Sequence, residues 1–418
     1  MAACTRSITF HGWRVVAAAF VIAVFGWGIG FYGPPVFLSV VRETRGWPLA
    51  LISTAVTVHF LVGAVAGANL PALYRRLGAA AVTKLGALCL AAGLSGWAVA
   101  TVPWQLFVAS VLSGAGWGAM SAAAINAIVS PWFVRRRPAA LAMAYNGGSV
   151  GGVIFSPLWP AAIGVLGFAT AAATVALVMA VTAWVLATLL LSQTPQAMGL
   201  APDDDAVDVP ATPIASRTAR PLRRALLWRD RKFLTLAAGM ALGLFAQIGL
   251  TAHLFSLLVP ALGAHSAGLA MGLVTVMAIG GRTVLGWTLR PTADRRLMAC
   301  AGYAAQFAGS LVFIAAAGTS APLLLVAIVL FGAGFGNATS LPPLIAQTEF
   351  AEQDGPRVVA LIVGIAQGAY AFAPASFGLL REFAADPAVV AAGAATPVFA
   401  AAALVQALAI GAFLAGRR

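Results

Sequence analysis

One arginine stands inside an apolar stretch of this chain of 418 residues. The stretch "AIGGRTVLGW" begins at Ala278, and Arg282 has only apolar or small neighbours for a turn or two on either side. A guanidinium at the centre of a membrane helix costs about 2.5 to 3.5 kcal/mol on insertion scales, so it needs a water-filled cavity or a partner. Its planar fork suits bidentate binding of a carboxylate. Residue type and position therefore predict an anion-binding group.

The usual partner of such an arginine, a carboxylate on a neighbouring helix, has no candidate in the sequence. All 12 Asp and Glu residues lie in loops, in a central linker or at the ends of apolar stretches. We therefore expect a substrate anion to supply the negative charge. A second interpretation stays open, because Arg282 is about seven residues from the next loop and a long cation can extend to lipid headgroups.

Two histidines lie in apolar stretches and are the groups there that titrate near neutral pH, His253 and His59. Both are candidates for proton coupling, because histidine can load and release a proton in this range. The alternative for each is a neutral imidazole that hydrogen-bonds a backbone carbonyl.

Further polar side chains could line a substrate path. Tyr32, in "GFYGPPVF", precedes Pro34 and Pro35, which predict a break in the first apolar stretch. An unwound segment lining a cavity can offer a hydroxyl and backbone donors to a substrate. Amide side chains supply the other candidates, each with an interhelical hydrogen bond as its alternative role: Asn126, Asn146, Gln247, Asn337 and Gln367.

The elements that must position these residues are membrane helices. The chain is 61% hydrophobic and 9% charged, with a mean hydropathy of +0.94, and about 20 apolar residues suffice for one helical crossing. The fold class is therefore predicted as all-α integral membrane. Twelve apolar runs predict twelve transmembrane helices, at 12–41, 48–74, 82–102, 104–128, 138–164, 166–191, 232–259, 266–289, 297–317, 321–347, 358–380 and 388–415.

Charge placement sets the predicted orientation. With both termini cytoplasmic, 21 of the 25 Lys and Arg residues fall in cytoplasmic segments, as the retention of positive residues requires. Three fall in outside loops (Arg42, Arg45 and Arg381), which leaves Arg282 alone within a span. The apolar stretch near the N-terminus is read as an uncleaved first span rather than a signal peptide.

A polar, proline-rich segment separates two groups of six helices. We predict an N-terminal half at 1–191, a cytoplasmic linker at 192–231 and a C-terminal half at 232–418. The halves resemble copies, because "LSGAGWGAMS" and "LFGAGFGNAT" share Gly-Ala-Gly-aromatic-Gly at an offset of 218 residues. Two pseudo-symmetric six-helix bundles suit alternating access around a central site.

Several function classes are disfavoured. Three widely separated cysteines suggest neither a metal site nor a disulfide framework. The net charge of +13 comes from short loops rather than one folded face, which argues against a nucleic-acid partner. No HExxH spacing or nucleophile motif is present, so we predict no enzyme, no metal and no cofactor.

The twelve runs, the linker and the loop "ADRRLM" resemble the major facilitator superfamily over the whole chain. Within it, "SPWFVRRRPAALAMAYNGGSVGGVIFSPL" and "HLFSLLVPALGAHSAGLAMGLVTVMAIGGRTVLG" are similar to bacterial monocarboxylate transporter and oxalate/formate antiporter relatives. The resemblance implies a carboxylate-handling arginine at Arg282. It departs from those relatives at Ala278, where animal-type carriers have an aspartate, and in span 11, which lacks the lysine of the oxalate exchanger.

These observations lead to one expected function. The chain is predicted to be a secondary active transporter of a small organic monocarboxylate, in a plasma membrane of the bacterial inner-membrane type. Its expected partners are that anion, a proton or counter-anion, and the lipid bilayer, and the expected unit is a monomer. The alternatives are an exporter of apolar or cationic compounds in the same fold, and a membrane sensor or scaffold on a transporter-like frame.

Overall fold

The chain folds into an all-α structure, as expected from its composition. A computed structural model describes residues 10–204, 227–288, 293–351, 354–383 and 396–417. The helices are α1 (His11–Gly30), α2 (Gly33–Arg45), α3 (Leu49–Val99), α4 (Pro103–Ala119), α5 (Ala122–Val129), α6 (Arg137–Leu166), α7 (Phe168–Leu190), α8 (Arg231–Thr288), α9 (Arg295–Ala316), α10 (Ala321–Phe335), α11 (Asn337–Glu349), α12 (Gly355–Ala371), α13 (Ala373–Phe383) and α14 (Thr396–Ala415).

Ten helical segments of the described chain are long and apolar enough to cross a membrane. Two of them, Leu49–Val99 and Arg231–Leu285, have 51 and 55 residues, well beyond the roughly 20 that one crossing needs. Each contains one glycine in a conformation that L-residues rarely adopt, Gly78 (φ 80°) in α3 and Gly263 (φ 75°) in α8. These glycines fall between predicted runs 2 and 3 and between runs 7 and 8, so the ten segments correspond to the twelve runs. The start of the last run and most of the linker lie outside the described residues.

The predicted break in the first span is confirmed. α1 ends at Gly30 and α2 begins at Gly33, because Pro34 has no N–H to donate to the Gly30 carbonyl. The N–H groups of Phe31 and Tyr32 both bond the Trp27 carbonyl. The break therefore leaves carbonyl oxygens of α1 free for side chains.

Breaks also interrupt three other spans, where α4 meets α5, α10 meets α11 and α12 meets α13. The first two fall at the end of the repeated Gly-Ala-Gly-aromatic-Gly motif. Its glycines bring helices into backbone contact: a Cβ on Gly118 would lie 2.6 Å from the Gly63 carbonyl oxygen in α3, and one on Gly332 would lie 2.8 Å from the Val274 carbonyl oxygen in α8. Both copies thus pack closely on another helix, the first on α3 and the second on α8.

A seam between α3 and the helices α12 and α13 joins the N-terminal and C-terminal helices. In this seam α3 and α13 run antiparallel and contact each other about once per helical turn. Glu382 Oε1 accepts from the Ala50 N–H (2.7 Å), Ser53 lies against Gly378, and the Ala375 N–H donates to Thr57 Oγ1 (3.1 Å). The seam ends where the rings of Phe60 and Tyr370 meet, with centroids 6.0 Å apart.

We call the end of the molecule at Ala50 and Glu382 the far side, and the end at residues 192–204 the linker side. On the far side α2 also packs against α8, where Phe31, Pro34, Ile248 and Thr251 surround a small apolar cavity. Towards the linker side, one face of α12 has open space beside it, since a Cβ on Gly364 or Gly368 would meet no atom within 4 Å. The seam therefore closes the far side, while α12 is loosely packed beside these two glycines.

All three arginines that the sequence placed in outside loops are helical, which corrects that prediction. Arg42 and Arg45 lie in the last turn of α2, and Arg381 lies in α13. α13 continues to Phe383, past the end of predicted run 11 at residue 380. Arg381 is half-buried rather than in a solvated loop.

On the linker side, a buried ion pair ties four C-terminal helices together. Arg296 in α9 is 2% exposed and forms a bidentate pair with Glu349 of α11, through Nε to Oε1 (2.7 Å) and Nη2 to Oε2 (2.8 Å). The same guanidinium donates to Thr235 Oγ1 and the Lys232 carbonyl in α8 and to the Phe413 carbonyl in α14.

The N-terminal helices carry a different linker-side contact. Asp203 accepts hydrogen bonds from the backbone N–H groups of Val134 (2.9 Å), Arg135 (2.7 Å) and Arg136 (3.2 Å). Burial would raise the pKa of Asp203, but these three bonds and the nearby Arg135 charge outweigh it and hold the pKa below its usual value. A linker carboxylate thereby fixes the turn before α6.

The Arg296 to Glu349 pair gives a stability prediction. Glu349→Gln leaves a buried guanidinium without its counter-charge, which typically costs about 3 to 5 kcal/mol. The melting temperature of the purified protein should fall by several degrees. The matched control is Glu43→Gln, since Glu43 is exposed and accepts only from Ser39 Oγ; equal melting temperatures for the two variants would contradict the role of the pair.

Candidate functional site

Arg282 lies in α8 and points into the bundle. Its Nε donates to the Gly336 carbonyl (3.2 Å), at the break between α10 and α11, and the residue is half-buried. Among the described residues no carboxylate forms an ion pair with it. Its acceptor among the described residues is a neutral carbonyl, so the positive charge has no ion-pair partner there.

Tyr32 brings the N-terminal helices to this arginine. Its side chain is 7% exposed and lies close enough to Thr275 of α8 and to Arg282 to interact with both. A Cβ on Gly152 of α6 would lie 2.5 Å from Tyr32 Cζ and 2.7 Å from Thr275 Oγ1. Tyr32 and Arg282 thus form a polar site to which helices on both sides of the linker contribute.

His59 is fully engaged in hydrogen bonds away from that site. Its Nε2 lies 2.9 Å from the carbonyl oxygen of Gly30, the acceptor that Pro34 leaves free, and its Nδ1 lies 2.8 Å from Ser113 Oγ. The carbonyl can only accept, so the proton is on Nε2. His59 closes the break in the first span, as Trp159 does when its Nε1 donates to the Gly28 carbonyl (3.0 Å).

His253 is buried between α8 and α13. Its Nε2 lies 2.9 Å from the Pro374 carbonyl oxygen, and its Nδ1 lies 3.4 Å from Nη1 of Arg381. Nε2 therefore donates and Nδ1 accepts, which is the neutral tautomer. The structure places His253 at the far-side seam.

The predicted amides are scattered. Asn126 and Asn146 are exposed, and Asn126 accepts from Ser130 Oγ. Asn337 is buried beside Gly302 of α9, and Gln247 is buried with an unpaired Oε1. Gln367 is half-buried and hydrogen-bonds Tyr370. Of these, Gln367 lies nearest to the end of the seam.

A row of aromatic rings crosses the centre of the molecule and was not identified from the sequence. Trp27 packs on Trp117 (5.0 Å between centroids), Phe31 packs on Phe60 (6.2 Å), and Phe60 meets Tyr370 of α12. Phe31 also contacts Tyr32 (5.0 Å). Aromatic residues in apolar runs carry no signal of which ring they will meet, so only the structure shows the row. Through Phe31 and Tyr32, these apolar rings border the polar site at Arg282 on its far side.

The chemistry of this arrangement suits an anion. It offers a guanidinium, a phenol and a threonine hydroxyl beside apolar rings, on the linker side of the seam. A charge-assisted hydrogen bond is roughly twice as strong as a neutral one, so a carboxylate would compete well with water there.

The close fit at Gly152 gives a prediction. Gly152→Ala should lower the melting temperature, because overpacking costs about 1 to 3 kcal/mol and outweighs the gain of up to about 1 kcal/mol from replacing a helical glycine. Gly164→Ala in the same helix is the control, since its Cβ would meet no atom within 4 Å, and it should leave the melting temperature unchanged or raised. A Gly152→Ala protein as stable as the control would contradict the close approach of Tyr32.

Comparison with known proteins identifies the family. The model of the Major Facilitator Superfamily matches residues 16–378. No curated protein matches the sequence.

Solved structures of transporters share the fold. The nucleoside transporter NupG is similar with a TM-score of 0.74 and 14% identity, covering 98% of this chain and 99% of that one. The D-xylose-proton symporter is similar with a TM-score of 0.72 and 15% identity, covering 95% of this chain and 96% of that one. A bacterial homolog of the human lysosomal transporter Spinster is similar with a TM-score of 0.71 and 15% identity, covering 98% of each chain. These identities establish likeness of fold alone. With the family match over most of its length, the chain belongs to the major facilitator superfamily and is a secondary membrane transporter of that type.

Proposed function

We propose that this transporter moves a small organic monocarboxylate across the membrane by alternating access, and that Arg282 holds the carboxylate. The observation that carries the proposal is the environment of Arg282. Its guanidinium lies inside the bundle beside Tyr32, with a backbone carbonyl as its acceptor and no carboxylate partner among the described residues.

The charge balance favours an anion over a neutral or cationic substrate. A buried guanidinium without a counter-charge is costly, and an anion from solution removes that cost on binding. Tyr32 adds a hydroxyl donor from the opposite group of helices. A carboxylate held between Arg282 and Tyr32 would therefore join the two groups.

Alternating access requires two groups of helices that move against each other. We assign these roles to 1–191 and 232–418, connected by 192–231, with the linker side and both termini in the cytoplasm of a bacterial-type cell. The far-side seam, which joins the two groups at one end, suits one end state of this cycle. A single chain contains both groups, so a monomer is the expected unit.

The alternative substrate class is apolar or cationic compounds. The aromatic row from Trp27 to Tyr370 favours it, because rings bind apolar bodies and cations. The unbalanced Arg282 disfavours a cation. A panel of lactate, pyruvate, formate, oxalate and benzoate separates the classes, since a specific ligand raises the melting temperature by mass action.

The first functional prediction concerns Arg282. Arg282→Ala and Arg282→Lys should both abolish the stabilisation of the purified protein by the acid that stabilises the wild type, because Lys cannot form the bidentate pair. The control is Arg14→Ala, an exposed arginine. Unchanged acid-dependent melting and uptake by well-expressed Arg282→Ala protein would refute the site.

The second functional prediction concerns proton coupling. His253 remains the proposed proton carrier, and His59 is the alternative candidate. His253→Gln should abolish the pH dependence of net uptake and leave counterflow exchange intact, because exchange needs no net proton movement. His265→Gln, at an exposed histidine, should keep the wild-type pH profile. A His253→Gln protein with that same profile would exclude His253 as the proton carrier.

A further inference from the structure

Arg381 is a second arginine inside the bundle, at the far side. It lies in α13, is half-buried and donates from Nη1 to Ser256 Oγ (2.7 Å) and towards His253 Nδ1 (3.4 Å). Both acceptors belong to α8 and both are neutral. Among the described residues no carboxylate forms an ion pair with Arg381.

The nearby carboxylates are bound elsewhere. Glu382, the next residue, accepts from the Ala50 N–H at the start of α3, and Glu43 of α2 accepts from Ser39 Oγ. The other charged group that acts on Arg381 and His253 is Arg42 of α2, which has the same sign as Arg381. Among the described residues Arg381 therefore has no ion-pair partner, and the charged group that acts on it is also positive.

The hydrogen bonds of Arg381 are replaceable ones. A serine hydroxyl and an imidazole nitrogen are weaker acceptors for a guanidinium than a carboxylate, which offers two oxygens in the matching geometry. The His253 lone pair faces Arg381 only because the other ring nitrogen donates to the Pro374 carbonyl.

We propose that the Arg381 guanidinium is a carboxylate-binding group at the far-side mouth, separate from the site at Arg282. The inference rests on the proposed function, because the ligand is the transported carboxylate. A carboxylate arriving from the far side binds the guanidinium and replaces its contacts with Ser256 and His253. That exchange removes the two Arg381 contacts between α13 and α8 beside the seam, so loading at the mouth favours opening of the far side.

Sided uptake tests this site. Right-side-out and inside-out membrane vesicles are prepared from cells that express the wild-type or the Arg381→Gln protein. Uptake of ¹⁴C-labelled benzoate and L-lactate is measured over a range of concentrations. The half-saturating concentration on the far side should rise about tenfold, corresponding to about 1.4 kcal/mol of lost binding. On the linker side it should stay within twofold of the wild type. Arg381→Lys, which keeps the charge and loses the fork, should give an intermediate far-side value and covers the case of a poorly folded Gln variant.

The control is Arg45→Gln, which removes one charge from an exposed arginine of α2 on the same side, and should leave both values unchanged. Equal shifts on the two sides, or a far-side value for Arg381→Gln that equals the control, would overturn the inference while wild-type uptake keeps the proposed function standing. Absence of uptake of both acids by the wild type in both kinds of vesicle would contradict the proposed function itself and this inference with it.

Discussion

An ionised side chain inside a membrane protein must find its counter-charge or its hydrogen-bond partners within the protein, a cavity or a ligand. Three ionisable residues in the described part of the chain, each buried or half-buried, bond backbone carbonyls at helix breaks. Arg282 bonds the Gly336 carbonyl and His59 the Gly30 carbonyl, while His253 bonds the Pro374 carbonyl. For the two neutral histidines such a carbonyl is sufficient. For Arg282 it fixes the position of the side chain and leaves its charge unbalanced, which is the basis of the anion proposal.

The breaks also decide which carbonyls are free. Pro34 has no N–H to donate to the Gly30 carbonyl. The two copies of the glycine motif end at the junctions of α4 with α5 and of α10 with α11. The same glycines hold those helices against α3 and α8 in backbone contact. One sequence feature, duplicated in the two groups of helices, therefore both packs the bundle and creates acceptors in its interior. Only the C-terminal copy meets an arginine, since α3 has Ala64 where α8 has Arg282 at the same offset.

The sequence was informative where a property is local. Hydropathy located the helices, positive-φ glycines fell where runs were expected to separate, and Pro34 with Pro35 located the first break. Arg282 was identifiable because an arginine in an apolar run is conspicuous. Arg381 was missed because it follows the end of the apolar stretch in span 11, where a solvated loop and an interior helical turn have the same composition. The seam from Ala50 to Phe60 could not be predicted from the sequence either. It pairs residues more than 300 positions apart through serine, threonine and glycine, which carry no distinctive pattern.

The central claim is that the negative charge missing beside Arg282 arrives with the substrate. The most direct measurement is an experimental structure of the wild-type protein with its stabilising acid bound. The account predicts a carboxylate within hydrogen-bond distance of the Arg282 guanidinium and of the Tyr32 hydroxyl, on the linker side of the Phe60 and Tyr370 rings. An acid bound away from Arg282, or a guanidinium already paired with a carboxylate of the chain, would contradict it.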